Sequence, residues 1–264
     1  MRPGRYTAAV TPLSAVLITC DEERNLPRAL ESVKFCDEVV VLDGGSRDRT
    51  RDLAAAAGAR VETSIPWPGF VQQRNRALAA ASHDWVLAID ADERVTAELR
   101  DEIRAEAARG FAHAGYRIPR LAFYLGRWIR GTDWWPDPQL RLFDRRRGRW
   151  EGNLIHESVR VDGSVGRLRA RMEHFSYDDI SDHLATIDRY TTLWAEQAAQ
   201  EGRRSGPLDP AFAASWAFFR NYVVRGGVLL GEAGLTVSAL NSYYTYVKLA
   251  KLRERLDGAG PPRT

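Results

Sequence analysis

The sequence predicts an α/β fold, a mostly parallel sheet flanked by helices and followed by a helical C-terminal tail. Three observations predict it. Short apolar runs alternate with helix-like stretches over residues 13–108. The runs are apolar at nearly every position, as in strands covered on both faces. Each run ends in a polar turn. Such alternation builds a parallel sheet with helices on both faces, and its ligands collect beyond the carboxyl ends of the strands.

The elements follow in order. Leu13–Thr19 (LSAVLIT) is the first strand and residues 23–33 the first helix. Residues 38–42 (EVVVL) form the second strand, ending in the turn Asp43-Gly44-Gly45-Ser46. A helix over about residues 49–57 stops at Gly58. Arg60–Thr63 is a third strand, Pro66-Trp67-Pro68-Gly69 a loop, and residues 71–81 a third helix. The fourth strand, residues 85–89, runs into Asp90-Ala91-Asp92, and Thr96 is a good N-cap for a helix reaching about Arg109. After Gly110, segments 116–118, 139–143, 158–161 and 168–172 predict an irregular, partly antiparallel region. Ile180–Gln200 is helical. The expected organisation is a main domain over residues 1–200, with halves at about 13–108 and 109–200. A linker over 201–210 and a helical tail over 211–264 complete it.

Composition narrows the function classes. A chain of 264 residues, 44% hydrophobic and 28% charged, can bury one good core. The net charge of +3 is too small to argue for nucleic acid. Lys34, Lys248 and Lys251 are the lysines and all other basic residues are arginines, which reflects base composition more than arginine chemistry. The clusters Arg141, Arg145, Arg146, Arg147, Arg149 and Arg167, Arg169, Arg171 read either as solvated surface or as attraction to phosphates. Cys20 and Cys36 have no metal-ligand spacing and suggest no disulfide framework, which fits a reducing cytoplasm. The first ten residues hold no long apolar core, so no secretory signal is expected. No stretch approaches the ~20 apolar residues that span a bilayer. The expected location is therefore cytoplasmic, with membrane contact from one side, on the cytoplasmic face of the inner membrane.

The most informative feature is the pair Asp90 and Asp92. Two carboxylates one residue apart, where a buried strand opens into solvent, can lean toward one divalent cation. Mg²⁺ and Mn²⁺ prefer oxygen ligands and keep positions free for substrate phosphates. An isolated Asp-x-Asp is more often a solvated loop, with Asp92 and Glu93 opening the next helix. Placement after the fourth strand-helix unit favours the metal. Thr19, Asp21 and Asp43 fall at strand ends on the same edge. The sequence has no G-x-G-x-x-G after the first strand, no G-x-x-x-x-G-K-[ST] and no G-x-S-x-G.

The ordered segments LITCDEERNLPRALES, VVVLDGGSRDRT, QQRNRAL and WVLAIDADE resemble glycosyltransferase family 2. RLFDRRRGRWEGNLIHESV, HFSYDDI and the stretch from FRNYVVRGG to YVKLAKL resemble a bacterial subgroup acting on lipopolysaccharide inner core, whose members are often β-1,4-glucosyltransferases. The resemblance implies a GT-A fold (Rossmann-like), a nucleoside-diphosphate sugar donor of the uridine type, and inversion at the anomeric carbon. Residues 1–200 are then the catalytic domain, with a nucleotide-sugar half and an acceptor half. Thr19, Asp21 and Glu22 match positions holding base and ribose, and Asp43 one contacting the base. Ser46 and Asp48 match the following turn, where capping the next helix is the alternative task. Arg74 and Asn75 match a position near diphosphate and sugar, with a surface ion pair as the alternative for Arg74. Asp90 and Asp92 match the metal motif for Mn²⁺ or Mg²⁺, Asp92 as the more direct ligand.

The acceptor hydroxyl is a poor nucleophile near neutral pH, so a carboxylate must take its proton. Glu157, in Asn153-Leu154-Ile155-His156-Glu157, is the leading candidate. His156 could complete the metal shell or be a structural histidine, and His174 is another metal candidate. Neighbours on an extended segment point to opposite faces, so His156 and Glu157 share a site only at a turn or helix start. Asp133 and Asp137, beside Trp134, Trp135 and Pro136, are rival bases on a loop whose tryptophans can stack on sugars.

In the tail, residues 211–230 are apolar but interrupted by Arg220, Asn221 and Arg225. Tyr243, Tyr244 and Tyr246 precede Lys248, Lys251, Arg253 and Arg255, and aromatics beside a basic edge suit a helix in the membrane interface. Core packing and a dimer seam are the alternatives. The acceptor is accordingly expected to be a lipid-linked or oligosaccharide hydroxyl. Two rival classes compete with this enzyme. A non-catalytic nucleotide-sugar or glycan-binding module would lose the acids, which are all present. A sugar nucleotidyltransferase would carry a glycine-rich basic signature after the first strand, where this chain has CDEERNL.

Overall fold

Leu13–Thr19 (β1) is buried at every position but Ile18, because each face of this strand is covered by a different set of helices. Leu13, Ala15 and Leu17 point into one core with Leu26, Ala29, Leu30 and Val33 of α1 (Leu26–Val33) and with Leu99, Ile103 and Ala107 of α4 (Ala97–Ala108). Val16 points the other way, to Ala77 and Leu78 of α3 (Phe70–Ala80) and to Trp150 and Val159. The period of two along the strand produces this partition. The computed structural model describes residues 10–152 and 157–258.

Parallel pairing joins β1 to β2 (Glu38–Asp43) and to β4 (Trp85–Ala88), and β2 to β3 (Arg60–Thr63). Helix α2 (Thr50–Ala56) follows β2. These four strands and their helices match the expected order. Helix α1 starts at Leu26 and not at residue 23. The Glu22 and Glu23 amides donate to the Thr50 hydroxyl and the Asp48 carboxylate, which tie this segment to the neighbouring turn, and Pro27 occupies the first turn.

The fourth unit departs from expectation at its centre. Residues Glu93–Val95 are a short strand, β5, antiparallel to β12 (Met172–His174), so Asp92 and Glu93 do not open a helix. Helix α4 begins only after Thr96, whose hydroxyl accepts from the Leu99 amide as an N-cap should. The strands β6 (Gly115–Tyr124), β7 (Arg127–Trp128), β8 (Asp137–Asp144), β9 (Gly148–Gly152), β10 (Glu157–Val161) and β11 (Val165–Arg167) form the irregular region. The main sheet runs β3-β2-β1-β4-β8-β6-β12-β5, with β7 and β11 on β6, while β9 and β10 make a separate hairpin. The strand expected over residues 168–172 is not one. The amides of Arg169 and Ala170 donate to the Glu102 carboxylate and so leave the ladder.

By contacts the chain divides into two units, Met1–Arg120 with Pro138–His174, and Leu121–Asp137 with Phe175–Thr264. This differs from a boundary at residue 200, because α5 (Ile180–Gln200) packs against α7 (Gly231–Leu256) and groups with the tail. In that second unit the expected basic edge is consumed by packing. Lys248 lies over the rings of Trp194 and Tyr244, Lys251 binds Asp188, and Arg255 binds Glu196 at 2.6 Å. Arg253 pairs along its own helix with Asp257.

Candidate active site

The sheet edge around Asp90 lies wholly in the first unit. Strand β8 pairs antiparallel with β4 and brings Arg141 beside the end of β4, while α3 presents Arg74 from the opposite flank. Arg74 donates to Asp90 Oδ1 at 2.7 Å and Arg141 to Asp90 Oδ2 at 2.5 Å. Arg141 also donates to Glu93 Oε1 at 2.7 Å, and Arg120 reaches the same oxygen at 3.1 Å. Glu93 is fully buried and accepts the Asp90 amide through its other oxygen. Burial alone would raise the pKa of Asp90, but Arg141 and then Arg74 outweigh it and hold the carboxyl far below the usual range. Burial likewise opposes the charge on Arg141, and Asp90 and Glu93 more than restore it.

Arg74 links this cluster to the acceptor-side candidate. Its Nε lies 3.7 Å from Glu157 Oε1, and its guanidinium sits 4.4 Å above the Trp150 ring. The surface ion-pair alternative for Arg74 is thus replaced by a buried bridge between Asp90 and Glu157, the side chain being 11% exposed. Asn75, expected near the diphosphate and the sugar, is engaged with the Trp150 backbone. Its amide donates to the Trp150 carbonyl and accepts from the Trp150 amide, both at 2.9 Å, which fixes α3 to the β9–β10 hairpin. Among the described residues, the buried Nε atoms of Arg74 and Arg141 have no hydrogen-bond partner.

Asp92 meets a different partner from Asp90. Its Oδ2 is 3.1 Å from His174 Nε2, because β5 and β12 pair in a register that sets His174 against Glu93. Glu22 shares this edge. Burial raises its pKa, a hydrogen bond from Asn25 opposes the rise, and the charges of Asp92 and Asp90 add to it. Among the described residues no three His, Cys, Asp or Glu side chains form a ready metal cage. Asp90 is expected as a metal ligand, yet both its oxygens are held by guanidiniums. Asp92 and His174 are the pair whose oxygen and nitrogen donors fit Mn²⁺ or Mg²⁺, with the remaining positions left for other oxygens. His156 lies outside the described residues.

The residues expected at the base and ribose form a tight turn. Asp43 Oδ1 accepts the amides of Gly45 and Ser46, and Oδ2 accepts the hydroxyls of Ser46 and Thr19. Thr19, Asp43 and Ser46 are buried, so their first effect is to shape the floor of the turn. Asp21 stands in the left-handed region at φ 57°, its carboxylate accepting from the Arg47 amide and its own amide donating to Ser46 Oγ. Asp48 accepts the Thr50 amide at 2.9 Å just ahead of α2, whereas the Ser46 hydroxyl donates to Asp43. Gly44 is required here, since a Cβ would lie 2.5 Å from the Trp67 ring.

The rival bases lie in the second unit. Asp133 is bound by Arg220 and by Asn221 Nδ2 at 2.9 Å, with Arg225 at 3.8 Å, so its carboxylate is committed to holding the tryptophan loop. Trp134 in turn donates to Asn241 and packs with Tyr124, Tyr177 and His183. Asp137 begins β8 and is half-buried.

From the sequence, Arg141 stands in a cluster that reads as solvated surface or as attraction to phosphates, Glu93 reads as a residue opening the next helix, and Arg120 and Trp150 are not singled out. A signal existed. Arg141 interrupts the apolar run Leu140, Leu142, Phe143 of a buried strand, and a charge in such a place must find a partner.

Acids and guanidiniums thus gather at the carboxyl edge of a mostly parallel sheet, where the ligands of such sheets collect. The family model described as Glycosyl transferase family 2 matches residues 14–160. The chain belongs to that family. It is 30% identical to the lipopolysaccharide core biosynthesis glycosyltransferase LpsC of Rhizobium meliloti, over 92% of this chain and 93% of that protein. An uncharacterized glycosyltransferase of Rickettsia typhi is also 30% identical, over 92% of this chain and 87% of that one. A crystal structure of glucosyl-3-phosphoglycerate synthase from Mycobacterium tuberculosis, in complex with Mn²⁺, uridine-diphosphate and phosphoglyceric acid, aligns at 20% identity. It covers 78% of this chain and 86% of that one, with a TM-score of 0.48.

Proposed function

We propose that this glycosyltransferase moves a hexosyl group from a UDP-sugar to a hydroxyl of a lipid-linked glycan of the lipopolysaccharide core type, with inversion at the anomeric carbon. One observation carries the reading. Asp90, Asp92, Glu93, Glu157 and Glu22 outnumber Arg74, Arg120 and Arg141 around one sheet edge, which leaves an excess of negative charge where a diphosphate must bind. Such an edge accepts an anionic donor only together with a cation. Asp92 and His174 are the residues that would hold Mn²⁺ or Mg²⁺. When bound, the ion offsets the charge that develops on the leaving diphosphate.

The chain's own residues divide the remaining work. The guanidiniums of Arg74 and Arg141 set positive charge beside Asp90, where it attracts the donor's phosphates. The Trp150 ring lies beneath the Arg74 guanidinium at 4.4 Å. The Thr19–Asp43–Ser46 turn supports the base and ribose, and Asp21 and Glu22 stand at its rim. The acceptor oxygen attacks the anomeric carbon as the bond from that carbon to the phosphate oxygen breaks. The hydroxyl proton passes to Glu157, and the nucleoside diphosphate leaves with the bonding pair. Glu157 is preferred to Asp133 because Asp133 Oδ2 already accepts from both Arg220 and Asn221.

The support for a lipopolysaccharide-type acceptor is the match to LpsC over nearly the whole chain. The test is mass spectrometry of products formed from UDP-glucose and other nucleotide sugars with a core oligosaccharide acceptor and Mn²⁺. A hexose-extended product is expected, and full activity after EDTA treatment would remove the metal from the scheme. Preferential binding of guanosine diphosphate over uridine diphosphate in calorimetry would overturn the uridine assignment.

A further inference from the structure

Helix α6 (Asp209–Phe219) and the π-helical turn Arg220–Val224 that continues it are built inside out. The stripe that faces α7 consists of small or polar residues: Pro210, Ala214, Ala217 and Asn221. The exposed stripe, at the same spacing, is Phe212, Trp216, Phe219 and Val223. Phe212 is 71% exposed and Trp216 59%. A helix of a water-soluble surface places its large apolar side chains toward the core, and the reverse order exposes a continuous apolar ridge. The following 3-10 turn, Gly227–Leu230, prolongs the ridge with Val228 and Leu229, the latter 85% exposed.

The inward face gives the reason for the small residues. A Cβ on Gly234 would lie 1.9 Å from the Gly227 carbonyl, so this turn and α7 meet backbone to backbone. Ala214 and Ala217 allow the same close approach along α6. The large residues have no room on that side.

Charge selects the occupant of the ridge. Between Asp209 and Glu232 the chain holds no acidic residue, and its only charged side chains are Arg220 and Arg225. They share the single carboxylate of Asp133 and remain half-exposed, which leaves a positive excess beside the apolar stripe. Apolar bulk, an aromatic and flanking arginines together match the acyl-headgroup boundary of an anionic bilayer. No single helix among the described residues is long and apolar enough to cross a membrane. Residues Asp209–Val224 and Gly227–Leu256 meet that test only as a pair bent by 66°. A bend of this kind, with α7 engaged by α5, suits lying in one leaflet.

We infer that the ridge Phe212, Trp216, Phe219, Val223, Val228 and Leu229 inserts into the surface of a membrane carrying anionic phospholipid and anchors the enzyme there. This deepens the lipid-linked acceptor reading and rests on it for its purpose. The anchor is hydrophobic, and it is α6 with its following turns and not the basic end of α7, where Lys251 and Arg255 are paired to α5 and Arg253 to Asp257.

The test is flotation of the full-length chain with vesicles of phosphatidylethanolamine and phosphatidylglycerol, without donor or acceptor. Phe212→Ser combined with Trp216→Ser should weaken binding at least ~10-fold, with an unchanged circular dichroism spectrum and unchanged UDP-sugar turnover on a soluble oligosaccharide. High salt should weaken wild-type binding but not abolish it. A second measurement does not depend on the double variant folding. Brominated lipid should quench tryptophan fluorescence of the wild type, and Trp216→Phe should remove most of that quenching. Wild-type protein that fails to float overturns the inference, as does an equal affinity in the double variant. It is also overturned if the ridge variants turn a dimer into a monomer while neither form binds vesicles, which would make the occupant a second copy. Flotation without any sugar transfer upholds the anchor and refutes the transferase reading alone.

Discussion

Asp90 and Asp92 are one residue apart yet meet opposite partners, and that difference sets what each substitution should do. Asp92→Asn leaves the arginine cluster intact and removes charge from the Asp92–His174 pair. It should lower turnover by ~10²-fold or more with little change in thermal midpoint, and raised Mn²⁺ should recover part of the loss. Asp90→Asn uncouples the charge shared by Arg74, Arg141 and Glu93, so it should destabilise the fold as well as reduce activity. Comparing unfolding midpoints of the two variants separates a metal-side role from a structural one. Glu157→Gln keeps size and hydrogen bonding but cannot accept a proton. The expected result is a turnover loss of ~10²-fold with nearly unchanged nucleotide-sugar affinity. An active Glu157→Gln beside a dead but folded Asp137→Asn would move the base to Asp137. Asp90-Ala91-Asp92 was legible in the sequence as a candidate site, because acids at a strand end are unusual. The partition of its two carboxylates was not, because Arg141 and His174 lie far along the chain and reach the edge only through the pairing of β8 and β12.

Between α3 and the β9–β10 hairpin, Asn75 forms a two-way clamp with the Trp150 backbone. Asn75→Leu would leave an amide and a carbonyl without partners, at a cost of roughly 1–3 kcal/mol for each buried group. The thermal midpoint should fall clearly, and activity should fall with it because Arg74 and Glu157 sit on the two clamped elements. Activity lost without loss of stability would instead restore Asn75 as a sugar contact. The strands and helices of the first half were readable from periodicity and end signals such as Thr96 and Gly58. The short β5 was not, since a three-residue strand gains its pairing only from β12, nearly eighty residues later.

At the scale of the whole chain, the second unit carries its own pH sensitivity. His183 is buried, with its ring stacked on Tyr177 at 4.0 Å and Nδ1 3.1 Å from the Tyr124 hydroxyl. Burial pushes its pKa down to about 4, against a smaller upward pull from Asp182. The fold therefore favours the neutral ring, whereas the unfolded chain takes up the proton near the ordinary value of about 6.5. The stability from this group is complete above that value and drains away as pH falls from there toward 4. NMR titration of the imidazole should give a midpoint near 4, and a midpoint near the ordinary value would show that the aromatic cluster opens in solution.

By itself the sequence determined the alternation of strands and helices, the family, and the acids at the strand ends. These follow from local pattern, since a period of two, a cap residue or a motif is complete within a dozen positions. Only the tertiary structure decided what each of those acids meets. Thr19, Asp43 and Ser46 bind one another, Asp133 is bound by Arg220 and Asn221, and Asp90 is held between two arginines, leaving Asp92 with His174 and Glu157 beside Arg74. It also decided that the basic end of α7 packs on α5 while the apolar side chains of α6 face outward. A carboxylate's chemistry depends on the charge a few ångströms away, and that charge is set by folding and not by neighbours in the chain.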